Sequence, residues 1–291
     1  MAWCTTASLD KFLTAANGYL TSKAAENTVL LSAARDLRGT DPLFGWWEPS
    51  EGTQPRGAFL HAPPAPLLIA GGAPETAAAL AASLARAGRY VGGVDAPTDA
   101  ADAFAAAWSR RAGVGVRVHR QSRVYRLTGT VPDYEGPPGR PRVATQADRD
   151  LLVGWLRAFR GEIGQFTGAP ETTADDLIGY GGATFWEAGD GPVAVASVTR
   201  PVARIVQVSI VYTPPESRGH GYATAVMLAV ARAALAAHAR EVVMITDAAR
   251  PLRRASRLGY QLIGERAMLS FGPSTAPPPR VPTGPLPRFR G

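Results

Sequence analysis

Two hydrophobic periods alternate along the chain. "SLDKFLTAANGYL" carries Leu9, Phe12, Leu13, Ala16, Tyr19 and Leu20 at helical spacing, with Ser8 placed to cap the start. After "ENTVLLSAARDL" the period changes, and "FGWWE" (44–48), "GAFLHA" (57–62) and "PLLIAG" (66–71) read as three short strands. "APETAAALAASLARAG" returns to helix, with Pro74 in its first turn and Gly88 just past its end. "TDAADAFAAAWSRRAG" repeats that plan, with Thr98 as cap, Phe104 and Trp108 one turn apart, and Gly113 as terminator. "VGVRVHR" and "RVYRLTGTV" are two further strand segments.

The polar stretch "PDYEGPPGRPR" (132–142) cannot support a helix or a central strand, so the domain boundary is placed there. Beyond it, Thr145 and Asp148 form a capping pattern for a helix striped by Leu151, Leu152, Trp155 and Phe159. The expected organisation is an N-terminal domain (1–131), a linker (132–142), a C-terminal domain (143–271) and a Pro- and Arg-rich disordered tail (272–291). The segment from "FGWWE" to "GGAPE" can be laid over that from "ATFWE" to "YTPPE". Each has an aromatic-Trp-Glu strand, an acidic-Gly turn, two more strands and a Pro-Glu step, which reads as a duplication.

Composition narrows the class. Of 291 residues, 46% are apolar and 19% charged, as in an ordinary globular protein with room for two modest domains. No apolar run is long enough to span a membrane, and one cysteine, Cys4, permits neither an internal disulfide nor a cysteine metal cage; a cytoplasmic location is expected. His61, His119, His220 and His238 are too dispersed for a metal site. Net charge is +7, and only Lys11 and Lys23 among the 31 basic residues are lysines, but the arginines are scattered, which is compositional bias rather than one anion-binding patch.

The richest chemistry lies in "VYTPPESRGHGYATAV" (211–226). "RIVQVSIVYT" is apolar at nearly every position, as in a strand buried on both faces; Pro214 and Pro215 end it. A tight turn then leads into an Ala-rich helix. The first amides of a helix have no internal partner and carry the positive end of its dipole. Gly219 and Gly221 remove side chains that would hold an anion off those amides, and Arg218 adds a full charge. The junction is a cradle for a diphosphate. It is neither a dinucleotide fingerprint nor a P-loop.

Arg218, Gly221 and Ala223, directly after that strand, resemble the acyl-CoA loop of the GNAT acetyltransferases: Arg or Gln, two residues, Gly, one residue, Gly or Ala. The resemblance covers about residues 140–271, with "EVVMIT" similar to the fifth strand, "PLRRASRLGY" to the fourth helix and "QLIGERAMLSF" to the final strands. It implies an α/β fold of two tandem GNAT-like domains, each a mixed, mainly antiparallel sheet flanked by helices. The first would be a degenerate copy, whose loop "AGGAPETAAA" lacks the arginine and has Pro74 where an N–H is wanted. It also implies acetyl-CoA or another acyl-CoA as donor. Its pantetheine would lie on strand four at Val208, Ile210 and Val211, and its diphosphate on Arg218, Gly219, His220, Gly221, Tyr222 and Ala223.

The match departs at the proton donor. Ala255 stands where the family's usual tyrosine would be; Ser256 and Tyr260 are nearby hydroxyls, Tyr260 at a core-aromatic position. Glu187 and Glu162 are candidate bases on the acceptor side, set against the plainer reading of each as a solvated surface carboxylate. Trp155, Phe159, Phe166 and Trp186 are candidate walls of an acceptor pocket or simply core. Three functions stay open. The leading one is an acyl-CoA-dependent N-acyltransferase acting on a small amine. The second is a transferase taking an aminoacyl group from tRNA, with "RVHRQSRVYR" (117–126) and "RPLRRASR" (250–257) on the RNA. The third is a non-catalytic CoA-binding protein.

Overall fold

The computed structural model describes residues 2–37, 39–48, 50, 53–164, 169–252 and 255–273. The first half runs β1 (Ala2–Thr6), α1 (Leu9–Ser22), α2 (Thr28–Arg35), β2 (Leu43–Glu48), β3 (Gly57–His61), β4 (Leu67–Gly71), α3 (Pro74–Arg86), β5 (Gly93–Pro97), α4 (Thr98–Ala112) and β6 (Val114–Thr128). The second runs β7 (Arg140–Val143), α5 (Arg149–Ile163), α6 (Pro170–Gly179), β8 (Ala183–Ala188), β9 (Gly191–Val198), β10 (Ile205–Tyr212), α7 (Tyr222–Ala236), β11 (Glu241–Asp247) and β12 (Tyr260–Pro273). The order of elements is the same in both halves but for one place: where α4 stands in the first, the second has only a 3-10 turn at Ala255–Leu258. The expected fourth helix is therefore absent over the described part of 250–259, and residues 253–254 lie outside the described residues.

All strands join one sheet in the order β1-β2-β3-β4-β5-β12-β6-β11-β10-β9-β8-β7. Only β4–β5 and β10–β11 pair in parallel, each joined by a helical crossover, α3 or α7. The halves exchange their last strands: β12 lies between β5 and β6, and β6 pairs with β11. One face carries α1, α2, α5 and α6, the other α3, α4 and α7, in four buried clusters. Val124, Ile205 and Val243 pack under α1 and α2, so the halves share a core.

Several local readings hold. Ser8 accepts from the Lys11 amide, Pro74 occupies the first turn of α3, and Gly113 ends α4 with a left-handed φ of 66°. Thr145 and Asp148 form a reciprocal capping box that leads through a 3-10 turn into α5. Others change. Thr98 is the first helical residue rather than the cap; Pro97 precedes it and makes no side-chain bond. The two segments read between 114 and 131 form one strand, β6, and β12 likewise absorbs the final strands with irregularities at Leu262/Gly264 and Met268/Leu269. Residues 140–142 of the expected linker start β7, an edge strand, and β12 runs to Pro273. The rest of the expected tail lies outside the described residues. Among these, no helix is long and apolar enough to cross a membrane.

Candidate functional site

The site begins where two strands part. β10 and β11 pair from Ile205↔Glu241 to Val208↔Met244 and then separate, although β10 continues to Tyr212 and β11 to Asp247. At the same level the pairing of β10 with β9 shifts register between Val208 and Ile210. Ser209 bulges there, exposed, and its hydroxyl meets that of buried Ser197 at 2.8 Å. On the β11 side, the main chain of Ser209–Tyr212 therefore faces an open fork. Ile210 and Val211 lie in that free stretch; Val208 is still paired, so the free edge starts one residue later than read from the sequence.

The cradle closes the upper end of the fork. Pro215–Ser217 forms a 3-10 turn, and Gly219 and Gly221 follow with φ of 86° and 84°, a region that glycine enters without Cβ strain. Gly221 caps α7, and the first helical bond runs from the Ala225 amide to the Gly221 carbonyl. The amides of Tyr222, Ala223 and Thr224 thus precede the first bonded turn. A Cβ at Gly219 would meet nothing within 4 Å, so that side of the loop is open. At Gly221 it would lie 3.0 Å from the Tyr134 hydroxyl and 3.6 Å from Pro137. The segment holding Tyr134 and Pro137 therefore passes over the loop, a contact the sequence did not show. His220 stacks on Tyr222 with ring centroids 5.6 Å apart, and its Nδ1 lies 3.3 Å from the Ser217 carbonyl.

Arg218 already has partners. Its Nε donates to the Thr213 carbonyl at 2.9 Å and its Nη2 to Glu162 at 2.5 Å. The hydrogen bond to the Glu162 carboxylate pushes the guanidinium's pKa further up. Tyr212, buried beside them, is pushed up chiefly by burial and further by Glu162.

The equivalent corner of the first half is filled. β4 and β5 also part early, after Leu68↔Asp95. However, a Cβ at Gly71 would lie 1.6 Å from the Tyr19 hydroxyl, and one at Gly72 2.5 Å from Thr76 Oγ1. The Tyr19 hydroxyl donates to the Ala70 carbonyl at 3.3 Å. Ala73 caps α3 without a side-chain bond, and Pro74 has no N–H to offer. The protein's own side chains occupy this fork.

The candidate catalytic groups are not assembled around the second fork. Glu187 accepts from Arg142 at 2.6 Å and lies 3.5 Å from Arg140. The Arg142 hydrogen bond holds its carboxyl below the usual range, which makes it a weak proton acceptor. Ser256 is exposed on the 3-10 turn. Tyr260 is buried in the core under α7, its hydroxyl without a hydrogen-bond partner and its pKa pushed up by burial. Trp155 packs edge-on against Phe185 at 5.4 Å under α5, with Phe159 beside it, whereas Trp186 packs on the α7 face and donates to the Pro138 carbonyl. These aromatics thus do not wall one pocket, and Phe166 lies outside the described residues. Among the described residues no three His, Cys, Asp or Glu side chains converge on a metal position.

With this geometry established, comparison with solved structures is informative. A GCN5-related N-acetyltransferase from Sphaerobacter thermophilus superimposes with a TM-score of 0.62 over 92% of this chain and 94% of its own, at 15% identity. A GNAT-family acetyltransferase from Colwellia psychrerythraea gives 0.57 over 93% and 99%, at 11% identity. The chain therefore has the fold of the GNAT N-acetyltransferases. It has that fold twice, in the tandem form: a tandem GNAT protein from the clavulanic acid biosynthesis pathway matches over 94% of this chain and its own full length, with a TM-score of 0.50 and 17% identity. No family model matches the sequence, and no curated protein does.

Proposed function

We propose that the protein is an acyl-CoA-dependent N-acyltransferase, with acetyl-CoA as donor and a small-molecule amine as acceptor, and that the second half alone holds the donor. The observation that carries this reading is the open β10/β11 fork with a glycine-led helix start at its mouth, set against the same fork filled by Tyr19 in the first half. Gly219 to Ala223 would hold the diphosphate, and the free main chain of Ser209 to Val211 the pantetheine amides. Bound there, the donor supplies an activated thioester. The chain's own part is to fix that arm along β10, present main-chain donors at the fork, and hold the Arg218 guanidinium at its rim through the Thr213 carbonyl.

Glu187 is committed to Arg142, and the role of base passes to another group or to water. Ser256 is the hydroxyl adjoining Ala255 and is our candidate proton donor for the leaving thiolate. The tRNA-dependent reading is less favoured, because the loop after β10 keeps the acyl-CoA pattern of Arg218, Gly221 and Ala223 and, within 117–126, Arg123 is engaged by Glu265 at 3.1 Å.

The test is release of free thiol from acetyl-CoA with a panel of amines, alongside calorimetric titration of CoA. Binding together with amine-dependent thiol release supports the proposal. Tight binding with no release from any amine would instead favour a CoA-binding protein without turnover.

A further inference from the structure

The face of the sheet opposite α7 carries a charged pit beside the fork, where the exchanged strands meet. Arg266 of β12 is 7% exposed and donates to Asp95 of β5 twice, at 2.7 and 3.0 Å to Oδ1, and to the Asp95 carbonyl at 3.2 Å. Asp95 is itself 6% exposed. Arg120 of β6 brings a second guanidinium to within 4.0 Å of Asp95 Oδ2. Two guanidinium groups thus face one carboxylate. The Nε of Arg120 is buried and has no hydrogen-bond partner. Burying such a donor unpaired is costly, so an acceptor at that point would be stabilising.

The pit holds roughly 20 Å³ and is lined by Val29, Asp95, Arg120, Ser122, Ile245, Arg266 and Met268. That volume admits one or two oxygen atoms, not a whole molecule. Arg120 is 38% exposed and forms the rim.

Register places the pit relative to the fork. Ser122 stands opposite Asp247 on one side and Arg266 on the other, and Met268 stands between Arg120 and Asp95. These positions share one face with Ile245 and with Val29 of α2. Asp247 is the other carboxylate there, and its Oδ1 accepts from the Ala249 amide at 2.7 Å. Val208 lies level with Met244 and Tyr125, so Ser209 lies level with Val124, four residues below Arg120 and two strands away. At strand spacings of about 4.8 Å and a rise of about 3.3 Å per residue, the backbones are on the order of 15 Å apart. An arginine side chain spans nearly half of that. Tyr134 and Pro137 lie beside Gly221 at the loop, and the pit opens on the opposite face, where Arg120 forms its rim next to Val29 of α2.

We propose that the acceptor carries an anionic group, a carboxylate or phosphate, several bonds from its amine, and that Arg120 at the rim of this pit binds it, with Arg266 and Asp95 holding the pit in shape. The proposal rests on the acyltransferase reading for the identity of the second substrate, but the anion site itself can be measured without turnover.

The experiment is calorimetry of the full chain, with and without CoA, against ω-amino carboxylates from β-alanine to 8-aminooctanoate, ω-amino phosphates of the same lengths, and alkylamines lacking the acidic group. We expect the best acidic member to bind at least tenfold more tightly than its neutral counterpart. Arg120→Gln should abolish that difference, and Arg120→Lys, which keeps the charge and loses Nε, should restore only part of it. CoA affinity and the melting temperature should be unchanged in both variants. Equal affinity for acidic and neutral amines, no binding of either, or a preference that survives Arg120→Gln overturns the proposal. A parent chain that shows the Arg120-dependent preference but binds no CoA overturns the acyltransferase reading alone.

Discussion

Replacing Gly221 by alanine separates the cradle from the turn that contains it. The residue has φ of 84°, where a Cβ costs about 1–2 kcal/mol, partly offset by the lower freedom of alanine in the unfolded chain. A net loss of about 1 kcal/mol lowers the melting temperature by roughly 2–4 °C for a chain of this size. The new methyl would also stand 3.0 Å from the Tyr134 hydroxyl, on the residue that directly precedes the amides opening α7. Losing two charge-assisted contacts to a diphosphate removes about 3 kcal/mol of binding, a fall in CoA affinity on the order of 100-fold.

Gly88 is the control. It has φ of 65° and open space around it after α3, so Gly88→Ala should show a similar melting loss with no effect on CoA. Adding Tyr134→Phe to Gly221→Ala should relieve the contact without restoring affinity. Calorimetry and thermal melts on the four proteins decide the matter. If Gly221→Ala melts lower yet binds CoA within threefold of the parent, the loop is only a turn and the donor-site reasoning fails.

Three more outcomes follow from the electrostatics. Glu162→Gln frees Arg218 from an exposed ion pair, so CoA affinity at low salt should rise by roughly threefold, the gain fading near 0.5 M salt, with no change in melting; weaker binding would show that Glu162 assists the donor. Asp148 is held well below the usual carboxylate range, first by its bond to Arg142 and also by the Thr145 amide. Asp148→Asn should therefore cost about 1–2 kcal/mol at neutral pH, and the cost should shrink as pH falls below about 4, where the unfolded chain binds a proton that the folded, Arg142-paired carboxylate still refuses; a cost independent of acid would contradict this. His61 is buried, accepts from Arg89 Nε at 3.2 Å, and is lowered to about 4, first by burial and then by Arg89. Its neutral form stabilises the fold above the unfolded value of about 6.5, and that contribution, about 2 kcal/mol, disappears as pH falls from there toward 4. Urea melts of the parent and His61→Gln at pH 7 and 4.5 should differ in slope with pH, and equal slopes would refute the assignment.

Local chemistry was readable where neighbours in sequence are neighbours in space. The capping box of Thr145 and Asp148, the stripe of Leu152, Trp155 and Phe159 on α5 (Leu151, read into it, is exposed, and Leu156 is buried instead), and β10 with its proline stop and glycine turn all depend on contacts within a few residues. So do the two glycines of the cradle. What was missed is non-local. Nothing in the period of 114–128 tells that β6 pairs with β11 and β12 rather than with β5, because alternation specifies a face and not a partner. The ion pair that disarms Glu187 joins residues 45 apart, the Tyr19 hydroxyl reaches Ala70 across 51, and Arg266 meets Asp95 across 171. The fourth helix, absent among the described residues of 250–259, follows a different rule: Pro251 and the glycine at 259 bracket too few residues to repay helix nucleation, and the described residues between them form a 3-10 turn at Ala255–Leu258.

The central claim is that one of two similar forks is open and the other is closed by its own side chains. A crystal of the full chain grown with coenzyme A tests it most directly. The account predicts one coenzyme per chain, its diphosphate on the amides of 219–223 and its pantetheine against Ser209–Val211. Density for the coenzyme at Gly71–Pro74 instead, or a second fork left empty under Tyr134 at saturating ligand, would contradict it.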